Sequence, residues 1–192
     1  MVRPRLTAKS FMPKNTLEKF SDKVSSSWGP LTSELVAACC QHMEELLKTP
    51  VTEDWLAELL RETPAYAELY RDPTCGFVLL AHMEQAGLYR PPHDHGRGWV
   101  IYGVLQGESE MRTYARIEDP DGKIRLVKRN ATRVRAGGAQ LYLPGDIHDT
   151  LCISGPALLF RFTERDLKKE DKEAHKVTRY VEQDGVWIPG TP

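Results

Sequence analysis

A histidine pair led in by two prolines restricts this chain more than any other feature: Pro91-Pro92-His93-Asp94-His95. Adjacent prolines rule out a helix at that point and favour extended backbone. Side chains alternate faces along a strand, so residues i and i+2 point the same way. His93 and His95 therefore present two imidazoles on one side. A third, His148, follows the turn Leu143-Pro144-Gly145-Asp146-Ile147, which delivers it onto another strand. Neutral imidazoles are common ligands for divalent transition metals. Three that converge leave coordination positions open for a substrate and a small molecule. That is the pattern of a catalytic metal centre, not of a closed structural one.

The rest of the chain divides by character. Residues 16 to about 72 read as helical. Leu35, Val36, Cys39, Met43, Leu46 and Leu47 fit a 3.6-residue period after Thr32-Ser33-Glu34, and Pro50 ends the run. Thr52-Glu53-Asp54 opens a second helix through Trp55, Leu56, Leu59 and Leu60, and short helices are expected around Tyr66 and Tyr70. From Gly76 onward the pattern is strand-like: Phe77–Ala81, Trp99–Leu105, Met111–Ile117, Ile124–Lys128, Ala139–Leu143 and Ala157–Phe162. Asp119-Pro120-Asp121-Gly122, Gly137-Gly138 and Ser154-Gly155-Pro156 are turn signals between them. Regular strands with such punctuation predict a β-sandwich or barrel, with the helices packed outside it. Asp166 to His175 predicts a charged helix, and Val177–Val181 and Gly185–Trp187 a final strand and an anchored tail.

Composition excludes several function classes. The 192 residues carry a formal net charge of −1 with both signs interspersed, so nucleic acid and anionic membranes are not expected partners. No apolar run has the length of a transmembrane helix. Arg3, Arg5, Lys9 and Lys14 are not followed by an apolar signal-peptide segment. The four cysteines, Cys39, Cys40, Cys75 and Cys152, have no metal-knuckle spacing, and a disulfide framework is not expected. The expected setting is a reducing cytoplasm.

Two spaced motifs in order resemble the signatures of the cupin superfamily. The first is Gly87, five residues, His93-Asp94-His95, four residues, Val100, six residues, Gly107. The second is Gly137, five residues, Leu143-Pro144-Gly145, two residues, His148, three residues, Cys152. Val100, Leu143 and Cys152 stand where that pattern has glutamate, proline and asparagine. Loss of the glutamate leaves three histidines, which is similar to the cysteine dioxygenase (thiol dioxygenase) branch. His93-Asp94-His95, Val104-Leu105-Gln106-Gly107, Glu110, the placement of Phe77-Val78-Leu79, and Tyr66 with Tyr70-Arg71-Asp72 add to that likeness over roughly residues 55 to 155. The resemblance implies a mainly β, jelly-roll-like double-stranded β-helix barrel over residues 76–165. A helical segment, 16–75, would pack outside it, after a flexible tail, 1–15, and before an extension, 166–192. It implies Fe(II), with Zn, Ni or Mn as alternatives, and a small-molecule substrate with O2.

The departures matter. The cysteine of the family's cysteine–tyrosine crosslink is replaced by Val100, and the Ser-His-x-Tyr element is absent, the segment reading Phe160-Arg161-Phe162-Thr163-Glu164. By parity Tyr102 and Val104 share the face of Val100, which makes Tyr102 a candidate catalytic phenol or a core residue. Arg161, whose side chain opposes Phe160 and Phe162, is either a barrel-lining anchor for a substrate carboxylate or a surface arginine. The resemblance makes Arg71 the nearest match to the family's carboxylate arginine and Arg90 the second, and Trp99 borders the site mouth by proximity or packs in the core. Asp146 and Asp149 flank His148 and are candidates to orient its ring, or to stabilise the turn. Asp94 should point away from the metal. Three readings stay open: a mononuclear iron dioxygenase for a thiol or small acid, a non-oxidative lyase or isomerase, and a binding module without turnover. A homodimer is possible on general grounds.

Overall fold

The computed structural model describes residues 13–190, so most of the expected tail at 1–15 lies outside the described residues. Three helices come first: α1 (Thr16–Ser27), α2 (Ser33–Leu46) and α3 (Asp54–Glu62). Asn15 and Glu18 close a reciprocal capping box on α1, and Thr32 caps α2 by accepting from Leu35 N–H. Glu53 precedes α3 without a side-chain cap; its carboxylate bonds Thr16 and Trp55 instead, tying α3 to α1.

The strands are β1 (Ala67–Arg71), β2 (Val78–Glu84), β3 (Tyr89–His93), β4 (Val100–Glu118), β5 (Ile124–Arg135), β6 (Ala139–Tyr142) and β7 (Ile147–Thr163). After them come α4 (Leu167–Ala174) and the hairpin β8 (Tyr180–Gln183) and β9 (Val186–Pro189). The segment around Tyr66 and Tyr70 is a correction to the sequence reading: it is β1, not helix. It pairs antiparallel with β2, and edge pairing to an apolar strand overrides local helix preference. No helix among the described residues is long and apolar enough to cross a membrane.

The fold is mainly β and antiparallel, and its plan follows from two long strands. β4 and β7 pair along most of their lengths with register shifts between Val104 and Ser109. The sequence reads each as two strands separated by a break; in the structure each break is a corner within one strand. At the β4 corner, Gly107 has φ +85, and a Cβ there would sit 2.7 Å from Ala157 Cβ. At the β7 corner, a Cβ on Gly155 would collide with the Ala86 backbone N. Glycine thus lets three chain segments pack closely enough for the sheet to fold over.

The corners create two layers. One consists of β1, β2, the second half of β7, the first half of β4, and β6. The other consists of β3, the first half of β7, the second half of β4, and β5. Alternation then sorts side chains by face. Phe77, Leu79, Ala81, Ile101, Leu158, Phe160 and Phe162 face outward and pack beneath Leu35, Met43, Leu46, Leu56 and Leu59 of the helices. Each buried leucine, isoleucine, methionine or phenylalanine among them contributes about 1.5–3 kcal/mol. Val100, Tyr102, Val104, Tyr142 and Leu159 of one layer meet Met111, Val134 and Cys152 of the other in the space between. The helices pack on the outside, as the apolar stripes required. The β8–β9 hairpin is held by Tyr180, which packs with Tyr114, Leu126 and Ile147.

Candidate metal centre

β3 and β7 lie side by side with His93 opposite His148, and His95 follows two residues later. The chain past His93 is pinned by Asp94, whose backbone N–H donates to Thr178 O and whose side chain accepts from Gly96 and Thr178 N–H. Asp94 thus points away from its neighbours' rings, as alternation demands. His95 and His148 are buried, and His93 is half-buried.

The three rings converge. Centroids are 5.2 Å apart for His93–His95, 4.8 Å for His93–His148 and 5.0 Å for His95–His148. One ligand atom from each lies within 4.8 Å of the others. No aspartate, glutamate or cysteine joins the group among the described residues. His93 Nδ1 lies 2.9 Å from Pro91 O, which makes Nδ1 the donor and leaves the Nε2 lone pair free. His95 Nε2 and His148 Nε2 are 3.4 Å apart. Two bonds of about 2.1 Å meeting at a near-tetrahedral angle span about 3.4 Å, so that pair already has the spacing that one divalent ion needs. Burial lowers the pKa of all three; for His95 and His148 the neighbouring rings and Arg161 add to it and hold them well below the usual histidine value, whereas for His93 the Pro91 carbonyl and Asp94 oppose it. Neutral imidazole is the form that binds metal, and the donor set fits a divalent transition ion.

Two tyrosines wall the cluster from the opposite layer. Tyr102 places its hydroxyl 3.5 Å from His95 Nε2, with its ring 5.3 Å from that of His148. Tyr142 stacks on His148 at 3.8 Å and 20°. Sequence reasoning missed Tyr142, whose place at the centre follows from its long-range pairing with inward-facing Val100. Val100 is fully buried beside Tyr102 and Tyr142.

A cavity of about 670 Å³ opens from the cluster, roofed by Leu167, Lys168, Arg179 and Tyr180 of the C-terminal extension. Arg161 lines it. Its strand partners are Tyr102 on one side and Leu80 on the other, it has no ion pair among the described residues, and its Nε is buried without a protein partner. Arg90 also lines the cavity, bonded through Nε to Glu84.

Four other candidates are placed elsewhere. Arg71, on edge strand β1, is engaged by Glu68 and Asp166 and does not line this cavity. Trp99 is 2% exposed and packs against Trp28 and Phe162 in the outer core. It lies one residue before inward Val100, so alternation sends it out. Asp146 accepts from Leu143 N–H at 2.7 Å and stabilises the turn. Asp149 is buried and receives Tyr89 and Tyr114 hydroxyls and the Arg112 Nε–H, so it clamps β3, β4 and β7 together rather than holding His148. Nδ1 of His95 and of His148 have no protein partner.

No family model and no curated protein sequence matches the chain. Among solved structures it is similar to KdgF from a Halomonas species, at 19% identity and TM-score 0.40, over 51% of this chain and 74% of that one. It is also similar to the Schizosaccharomyces pombe Cnp3 cupin domain, at 17% identity and TM-score 0.41, over 56% and 68%. The DMSP lyase DddQ from Ruegeria pomeroyi DSS-3 overlaps 54% of this chain and 48% of its own, at 21% identity and TM-score 0.39. The chain itself is a two-layered antiparallel β protein enclosing three histidines suited to a divalent metal.

Proposed function

We propose that the chain is a cupin-type mononuclear non-haem iron dioxygenase, similar in its donor set to thiol dioxygenases. It would add O2 to a small thiol or carboxylic acid held at His93, His95 and His148. The observation that carries this reading is the group of three neutral imidazoles, two of them buried, without a carboxylate and lining one cavity with an arginine that has no ion pair among the described residues. When bound, a ferrous ion in this donor set supplies open coordination positions where substrate and O2 become neighbours.

The chain's own residues define the rest. Without a glutamate ligand the centre keeps its full positive charge, and Arg161 adds another, so the pocket favours a substrate with two anionic groups. Arg161 is the carboxylate anchor, because a guanidinium binds a carboxylate through two parallel N–H bonds. Tyr102, beside His95, is placed to donate its phenolic proton to a substrate or oxygen atom at the centre. Tyr142 fixes the plane of His148 by stacking, and the Pro91 carbonyl fixes the tautomer of His93.

The test is oxygen consumption by anaerobically iron-loaded protein given 3-mercaptopropionate, cysteine or a β-diketone. Uptake stoichiometric with substrate loss is expected for one of them. Product formation without oxygen uptake would instead favour a lyase or isomerase, and ligand binding without any product a sensing module.

A further inference from the structure

Besides Arg161, the cavity has polar groups that the proposed chemistry does not use, His82 and Glu84. Alternation along β2 sends Leu79 and Ala81 into the outer core and His82 and Glu84 into the cavity. Glu84 is 3% exposed. One oxygen, Oε1, accepts from Arg90 Nε at 2.9 Å; the other, Oε2, is buried without a protein partner. His82 Nε2 and Arg161 Nε are buried in the same condition. Buried polar atoms are rarely left unmatched, since an unmet charged acceptor carries its full desolvation cost. Here a donor, an acceptor and a neutral imidazole stand along one wall of one cavity, and the imidazole's pKa is pushed down to about 3 by burial and by the nearby Arg161 charge. That pattern is complementary to a ligand.

Register orders the groups. Arg161 pairs with Leu80 and Tyr102, in the row beside the histidines; His82 pairs with Leu159, and Glu84 with Ala157. The Glu84 row is four residues beyond the Arg161 row, or about 13 Å at strand rise. Arg90 already balances the Glu84 charge, so the free oxygen calls for a neutral N–H rather than a further cation. The cavity volume of about 670 Å³ falls in the range that holds ligands much larger than a three-carbon acid.

We propose that Glu84 determines substrate specificity by accepting an amide N–H carried about one side-chain length beyond the carboxylate that Arg161 holds. The substrate class is then an elongated carboxylic acid with an amide in its tail. This rests on the reading of Arg161 as the carboxylate anchor of the proposed site.

The test reads binding, not turnover. Zinc-loaded protein is titrated calorimetrically with 4-acetamido-2-sulfanylbutanoate and with 4-acetoxy-2-sulfanylbutanoate, which differ only in N–H against O. The wild type should bind the amide about tenfold more tightly. In Glu84→Gln, Arg90 captures the side-chain carbonyl and turns the NH2 toward the cavity. The amide preference should then vanish while zinc content and ester affinity hold. Equal affinities in the wild type overturn the proposal whether or not the variant folds; so does failure of both compounds to bind, or an unchanged preference in Glu84→Gln. Glu84-dependent discrimination in a protein that never consumes oxygen would uphold this inference and defeat the dioxygenase reading. Oxygen uptake with 3-mercaptopropionate but no discrimination would do the reverse.

Discussion

The two faces of the same strands have opposite characters. On β4, Ile101 packs beneath the helices while Val100 and Tyr102 face the histidines; on β7, Phe160 and Phe162 pack outward while Leu159 and Arg161 face the cavity. On β2, Leu79 and Ala81 oppose His82 and Glu84. The outer face is apolar and fully occupied. The inner face carries buried polar atoms with no protein partner. The difference separates duties: the outer face supplies apolar packing, and the inner face keeps polar groups that no protein atom satisfies.

That separation can be broken experimentally. The largest effect should come from His93→Ala, His95→Ala or His148→Ala: stoichiometric metal binding, read by elemental analysis, should be lost, while circular dichroism shows a folded protein. Phe162→Ala should do the opposite. Loss of its contacts with Phe20, Phe77 and Trp99 should cost about 3–5 kcal/mol in denaturant unfolding, with metal content per folded chain unchanged. Val100→Glu tests the missing carboxylate. It should destabilise the metal-free protein by about 3 kcal/mol through an unpaired buried charge. Metal should restore stability, and oxygen uptake should fall. Arg161→Ala should raise KM for carboxylate substrates about 10- to 100-fold with little change in kcat.

The smallest effect concerns pH. Burial holds His82 neutral in the folded chain, with its pKa lowered to about 3. The unfolded chain protonates it near its ordinary value of about 6.5. The unfolded state therefore binds more protons between those values, and its contribution to stability is present above about 6.5 and is lost as pH falls toward 3. His82→Gln should flatten the fall in denaturation midpoint between neutral and mildly acid pH; an unchanged slope would mean that the ring is not held neutral.

Much of this was legible before any coordinates. Prolines before His93, the Pro144-Gly145 turn before His148 and the spacing of two motifs mark the three rings. Alternation sets Tyr102 on the face of Val100 and Arg161 opposite Phe160 and Phe162, but only the packing of those phenylalanines under the helices shows that Arg161 faces inward. What escaped depended on long-range pairing. The corners at Gly107 and Gly155 carry the same glycine signal as true turns, and only the packing of β4 against β7 distinguishes them. β1 is short, and its strand character comes from β2. For Trp99 the structure selects packing over the site mouth, as its parity with Val100 requires. Asp149 sits next to a ligand in sequence, yet its partners, Tyr89, Arg112 and Tyr114, come from other strands that no local window contains.

X-ray absorption spectroscopy of the iron-loaded protein addresses the central claim most directly. Three imidazole nitrogens at about 2.1 Å on one ion per chain are expected, with the remaining scatterers replaced when substrate is added. A protein carboxylate or thiolate in the first coordination sphere, or fewer than three imidazoles, would contradict it.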